Sequence, residues 1–174
     1  MSKFLKTIGM VSMVAMLTFS AANALEKETF TAIAKETITQ ALSGSISDID
    51  GLIAKQAKLV ALGVAGCQKY ANSTSDPVHK KIMELVIRDA EKMKSMDLDS
   101  IEEHWHEGGI LAAEGIDMDK LGQSSEVISL MDTVVHPATS FIALKEYKKS
   151  QDSDLLDQVK DELDEVLHHL EQIQ

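Results

Sequence analysis

The 174-residue chain is poor in cysteine, proline and aromatic residues, and each scarcity excludes a class of protein. Cys67 is its single cysteine, so the chain can form neither an internal disulfide, nor a C-x-x-C-H haem attachment, nor a cysteine-rich zinc site. The only prolines are Pro77 and Pro137, and aromatic residues make up 4% of the chain. No alternation of apolar and polar residues persists, so strands are not expected.

The chain also lacks the short motifs of common enzyme classes. It contains no G-x-S-x-G nucleophile motif, no phosphate-binding loop, no dinucleotide-binding glycine fingerprint and no H-E-x-x-H zinc motif. Cys67 falls on the apolar stripe of a predicted helix, where a thiol is inert. We therefore predict a protein that is not an enzyme.

Positive charge is scarce as well, because 28 acidic residues face 17 Lys and Arg residues and the net charge is -11. Nucleic acid binding needs clustered positive charge, and so does binding to anionic membrane surfaces. We therefore expect that the protein binds neither nucleic acid nor anionic membrane surfaces. A partner protein, a small ligand or a divalent metal ion remains compatible with this charge.

The first 24 residues have the pattern of a secretory signal peptide. Two lysines precede an apolar segment at residues 8–19 that is too short to span a bilayer. Ala22-Asn23-Ala24 matches the small-residue cleavage pattern. We predict cleavage after Ala24, export to the periplasm of a Gram-negative cell, and one helical domain over residues 25–174. No other run is expected to span a membrane.

Apolar residues at helical spacing predict an all-α fold, a four- to five-helix bundle of the up-down type. An irregular segment with four glycines, residues 108–125, separates a short Trp-containing helix from the penultimate helix. Pro137 predicts a kink or a break within that penultimate helix. The helices are expected at about residues 28–43, 47–71, 77–93 and 100–107, from 126 onward, and from 153 onward.

The stretch "IEEHWHEGG" holds the first candidate site. Trp105 shares a helix face with apolar residues and is expected in the core, with His104 and His106 about 100° to either side on the rim. Glu102 lies four residues before His106, within side-chain reach. The predicted function is binding of a partner protein or small ligand at this rim, with His136 as a further contact.

His136 precedes Pro137 and follows Asp132 by four residues. In an unbroken helix both polar side chains are expected to face outward, whereas a break at the proline could turn His136 inward. The alternative function is therefore a metal- or b-type haem-binding bundle. Its candidate ligands are His104, His106, His136 and His79.

Two further hypotheses follow from spacing. Glu103–His106 and Glu165–His168 are Glu-x-x-His pairs, as in di-iron bundles, but a helical wheel turns both pairs away from the core. We therefore predict an interior filled by apolar side chains alone. A structural homo-oligomer is the other hypothesis, formed through the second apolar flank of the second helix: Leu52, Leu59, Gly63 and Tyr70.

Overall fold

The computed structural model describes residues 17–44, 46–122 and 125–173, with side chains from Lys27 onward. These residues form seven α-helices and contain no strand, so the all-helical prediction is confirmed. Five helices are long, with 17 to 26 residues each.

In chain order the helices are α1 Leu17–Leu42, α2 Ile49–Ser73, α3 Pro77–Met93, α4 Leu98–Ile101, α5 Gly109–Ala113, α6 Glu126–Ser150 and α7 Asp154–Leu170. A π-helical turn, Glu102–His106, continues α4, and a 3-10 turn, Met118–Lys120, follows α5. Most of the predicted signal peptide, residues 1–16, lies outside the described residues. Cleavage after Ala24 stays a prediction.

Aspartates begin three of the helices, as their side chains accept hydrogen bonds from orphan amides of the first turn. Asp76 accepts from the amides of Val78 and His79, and Pro77 occupies the first helical position. The short helix α4 begins after Asp97, whose carboxylate accepts from Ser100 N at 2.7 Å. It therefore starts before the Ser100 boundary that the sequence predicted.

Helix α6 is the central element of the fold. It packs mainly against α2 and α7, and also against α3 and α4. Every residue from 127 to 140 is buried as a result. The prediction that Asp132 and His136 face outward is therefore wrong, because this part of the helix has no outward face.

Helix α6 bears on the prediction that no run of the mature chain spans a membrane. By length and composition alone, α6 could cross a membrane, with a mean hydropathy of 1.5 over its most apolar window. That window is 94% buried against the rest of the chain. A core helix surrounded by other helices meets the same criterion, so its apolar character is accounted for by packing.

Pro137 does not break α6, which continues as helix to Ser150. Proline has no amide hydrogen, so the carbonyl of Thr133, one turn earlier, loses its usual helical donor. That carbonyl faces Gly63 of α2, where an added Cβ would lie 2.4 Å from the oxygen. Gly63 thus permits the close approach of α2 and α6.

The second flank of α2 is covered within the chain. Leu52, Leu59 and Gly63 are fully buried and Tyr70 is half-buried. Leu52 and Leu59 belong to a cluster with apolar residues of α1 and α7. This flank is therefore not available for the homo-oligomer contact that the sequence predicted.

Cys67 is buried, as predicted, and its thiol donates to the carbonyl oxygen of Leu130 at 3.4 Å. Burial raises the pKa of this thiol to about 12. The thiolate is the reactive and metal-binding form of cysteine. Cys67 is consequently suited to packing rather than to chemistry.

Gly63→Ala is expected to destabilise the protein by about 1–3 kcal/mol, because the new methyl group would meet backbone atoms of Thr133, which cannot rotate away. Urea unfolding measures the change. Gly66→Ala is the matched control on the same helix: its Cβ would meet Leu130 Cδ2 at an ordinary 3.5 Å. The control is expected to be stabilising by up to about 1 kcal/mol. Equal effects of the two substitutions would contradict the proposed contact.

Candidate metal centre

The π-helical turn directs His106 into the protein. The amide of Glu107 donates to the carbonyl of Glu102 at 2.9 Å, which is the five-residue spacing of a π turn. In a π turn, the rotation about the helix axis from one residue to the next is smaller than the 100° of an α-helix. Trp105 is 1% exposed in the core, and His106 follows it on the side of α6 and α7 rather than on the outer rim.

His136 is the centre of the site. It lies on α6, one residue before Pro137, and is 4% exposed. Its Nδ1 is 2.7 Å from Oε2 of Glu162 on α7, a hydrogen bond between two poorly accessible side chains. The Nε2 atom of the same ring is 3.8 Å from Oε2 of Glu165.

The first set of possible metal ligands comprises His106, His136 and Glu162. One ligand atom from each residue lies within 4.8 Å of the other two. The ring centroids of His106 and His136 are 5.0 Å apart, and His106 Nε2 is 3.7 Å from Glu162 Oε2. The π turn, α6 and α7 contribute one ligand each.

The second set comprises Asp132, His136 and His169, again within 4.8 Å of one another. Nε2 of His169 is 3.2 Å from Oδ2 of Asp132, and the rings of His136 and His169 are stacked with centroids 5.8 Å apart. Ser129 Oγ lies 3.3 Å from His169 Nδ1. His136 therefore belongs to both sets.

The hydroxyl of Thr139 orients His106. It donates to the carbonyl of Val135 at 3.1 Å and lies 2.9 Å from His106 Nε2. The hydroxyl therefore links the His106 ring to the backbone of α6. Partners of this kind, which fix the ring orientation of a histidine, are typical of metal-binding histidines.

Burial shifts every titratable group of the centre toward its uncharged form. It raises the pKa values of Asp132 and Glu162 to about 7 each, and lowers the pKa of His136 to about 4. The pKa values of His106 and His169 are lowered too, mainly by burial. At neutral pH the imidazoles are consequently neutral, which is the form that binds metal ions.

The two buried carboxylates lack a permanent positive partner. Within the described residues, Asp132 and Glu162 form ion-pair contacts with histidines only, and those histidines favour the neutral state. Leaving a carboxylate buried without a counter-charge is costly. A bound cation would supply the charge that no lysine or arginine provides.

Of the residues predicted from the sequence, His106 and His136 come together, and the others do not. His104 is exposed, with its Nδ1 2.8 Å from the carbonyl of Ser100. His79 lies at the start of α3, hydrogen-bonded to Tyr70. Glu102 is exposed and outside both sets, although its carboxylate acts electrostatically on His106. Trp105 is buried in the core, as expected, and so offers little surface to a partner.

The prediction of a purely apolar interior is wrong. The Glu-x-x-His pairs do point outward in part, since Glu103, Glu165 and His168 are exposed. The other polar groups of the centre come from positions outside the predicted site: Asp132, Glu162 and His169. Glu162 and His169 are seven residues apart, and a heptad drifts by only about 20° on a helix. That spacing was a signal for a shared face.

A b-type haem fits this centre poorly. An axial imidazole needs open space for the plane of a porphyrin beside it, whereas His136 is 4% exposed on a helix that other helices enclose. Each ligand set instead offers two imidazoles and one carboxylate. This combination, with coordination positions left open, suits zinc, iron(II) and similar divalent ions.

No protein-family model, curated protein or solved structure matches this chain. The function is therefore argued from the geometry of the centre and its chemistry.

Thr139→Val is expected to destabilise the metal-free protein by about 1 kcal/mol, because His106 Nε2 loses its buried hydrogen-bond partner while the side-chain volume is kept. Urea unfolding in the presence of a chelator measures the loss. Ser140→Ala is the control, since the buried Ser140 hydroxyl has no hydrogen-bond partner among the described residues. Its removal should change stability by less than about 0.5 kcal/mol. A neutral Thr139→Val would argue against the contact.

Proposed function

We propose that this protein binds a divalent transition metal ion through His106, His136 and Glu162. The observation that carries the proposal is the convergence of two imidazoles and a carboxylate, from three separate elements, within 4.8 Å in a poorly accessible place. Surface clusters of acidic residues are common without a metal ion, whereas this set is neither exposed nor wholly acidic.

The distances support metal binding after small side-chain adjustments. Two donor atoms on one zinc ion, each about 2.0–2.2 Å from it, can be at most roughly 4.4 Å apart. The first set spans 4.8 Å or less. Helical bundles build their metal sites in this way, from side chains of facing helices that project into the core.

The ligand types favour a borderline transition metal over calcium or magnesium. Calcium and magnesium prefer oxygen ligands, whereas imidazole suits zinc, copper, iron and nickel. Copper(I) prefers thiolates and thioethers, and Cys67 is engaged with Leu130. Zn²⁺ is therefore the first probe to use.

The proposal retains the predicted context: an exported, periplasmic, acidic bundle of up-down type with a cleaved signal peptide. The pattern of residues 1–24 and the net charge of -11 support that context. The proposal concerns metal binding and assigns no reaction to the bound ion. That the protein is not an enzyme stays a prediction.

Metal binding is expected to stabilise the protein, because an ion that binds only the folded state shifts the unfolding equilibrium. At free Zn²⁺ of about 100 times Kd, the gain would be about 2.7 kcal/mol. Isothermal titration with Zn²⁺ and thermal unfolding with and without a chelator measure both effects. Glu162→Gln should weaken binding at least tenfold, about 1.4 kcal/mol, since it removes the charged ligand while keeping the shape.

His104→Gln is the matched control, as His104 is exposed, close in sequence to His106, and outside both ligand sets. It should leave the affinity for Zn²⁺ unchanged. If wild-type protein gains no stability with Zn²⁺, or if the control loses as much affinity as Glu162→Gln, the proposal is wrong.

A second candidate function, binding of a small apolar ligand, is favoured by a cleft of about 460 Å³. This volume falls within the range of small-molecule sites. The cleft is remote from the predicted rim around Trp105 and lies among α1, α2, α6 and α7. Its apolar walls include Phe30, Leu62, Leu130, Leu170 and Ile173.

An apolar dye such as anilinonaphthalene sulfonate should bind the folded protein and fluoresce, because the cleft excludes water from an apolar surface. Gly66→Leu is expected to reduce binding severalfold, since Gly66 lines the cleft and the new side chain would occupy it. Ala65→Leu, at an exposed position of the same helix that does not line the cleft, serves as the control. Equal fluorescence in wild type and Gly66→Leu would remove this candidate.

A further inference from the structure

His136 is the one residue common to both ligand sets among the described residues. His106 and Glu162 accompany it in the first set, and Asp132 and His169 in the second. Each set by itself contains two imidazoles and one carboxylate. The second set therefore repeats the ligand chemistry of the first, with the ring of His136 between them.

One ring nitrogen cannot serve two ions, because each imidazole nitrogen has a single lone pair in the plane of the ring. A histidine shared by two ions must use both nitrogens. Nδ1 of His136 is 2.7 Å from Glu162 of the first set. Nε2, whose lone pair points away from that of Nδ1, is the nitrogen that remains for Asp132 and His169, and it lies 3.8 Å from Oε2 of Glu165.

We propose that the centre holds two divalent transition metal ions bridged by the imidazole of His136. The inference rests on the proposed function and extends it to a second ion, bound by Asp132 and His169. When the second metal–nitrogen bond forms, the remaining N–H bond of His136 breaks and its proton passes to the solvent. No electrons are transferred, and the bridge is an imidazolate anion.

Charge is compatible with two ions. The bridging imidazolate, Glu162 and Asp132 together contribute three negative charges in a place where no Lys or Arg forms a described ion pair with them. Two divalent ions exceed these three charges by one, and a hydroxide at an open coordination position supplies the fourth. One divalent ion with a neutral His136 would balance the two carboxylates alone, so the second ion is argued from the second ligand set and tested by stoichiometry.

The competing arrangement has one ion in the first set, with Asp132 and His169 as outer hydrogen-bonding partners. Such partners are common around metal-binding histidines. The two arrangements differ in stoichiometry and in magnetic behaviour. Two copper(II) ions joined by an imidazolate couple antiferromagnetically, so their electron paramagnetic resonance signal is lost, whereas an isolated copper(II) ion gives the full signal.

The experiment uses Cu²⁺ as the probe and the purified protein carrying His104→Gln and His168→Gln, which removes two exposed histidines that could bind copper adventitiously. After gel filtration, metal content and signal intensity are measured. Two ions per chain with most of the signal lost at low temperature are expected. Two ions with full signal intensity would overturn the bridge, and one ion per chain would overturn the second site.

If the proposed function itself is wrong, the protein should retain no copper at all after gel filtration. That result is distinct from one retained ion per chain. Single-site variants give the matched controls. His106→Gln should leave one ion in the second set, and His169→Gln should leave one ion in the first, each with a fully visible signal. His136→Gln should reduce retained copper below one ion per chain. If His106→Gln or His169→Gln still retained two copper ions per chain and gave no electron paramagnetic resonance signal, the assignment of ligands to the two sets would be wrong.

Discussion

The enclosure of α6 is the constraint on which the rest of the structure depends. Helices surround it from residue 127 to residue 140, so polar groups there can find partners only inside the protein, and the Ser140 hydroxyl has none among the described residues. Six of the eight buried polar residues that the structure describes belong to this helix. The carbonyl freed by Pro137 faces Gly63, and Thr139 bonds to Val135 and His106. His136 likewise has a partner inside the protein, since its Nδ1 is hydrogen-bonded to Glu162 at 2.7 Å.

Local sequence signals were sufficient for the all-helical character of the chain. The helix predicted over residues 77–93 is α3, Pro77–Met93, and the last helix, predicted from residue 153, is α7, Asp154–Leu170. The helical wheel failed at the site for two physical reasons. It assumed 100° per residue across Glu102–His106, where the chain forms a π turn. It also assigned an outward face to α6, although a helix that is apolar on all sides is expected to be buried.

The ligands on α7 show what a single helix can and cannot reveal. Leu163, Val166 and Leu170 mark the buried seam, and Glu162 and His169 lie beside it on one flank. Their heptad spacing is visible in the sequence, yet a polar flank on an amphipathic helix is usually solvated. Only the position of α6 against this flank makes the two side chains interior. Such information belongs to packing between helices and not to any one of them.

The cost of this centre is itself an argument for a bound cation. Burial shifts the pKa values of its carboxylates upward and those of its imidazoles downward, so the metal-free protein pays for keeping polar groups where apolar side chains would pack. Departures from an apolar core are expected at functional positions. An ion bound here would connect the π turn, α6 and α7, and its binding free energy would add to that of folding.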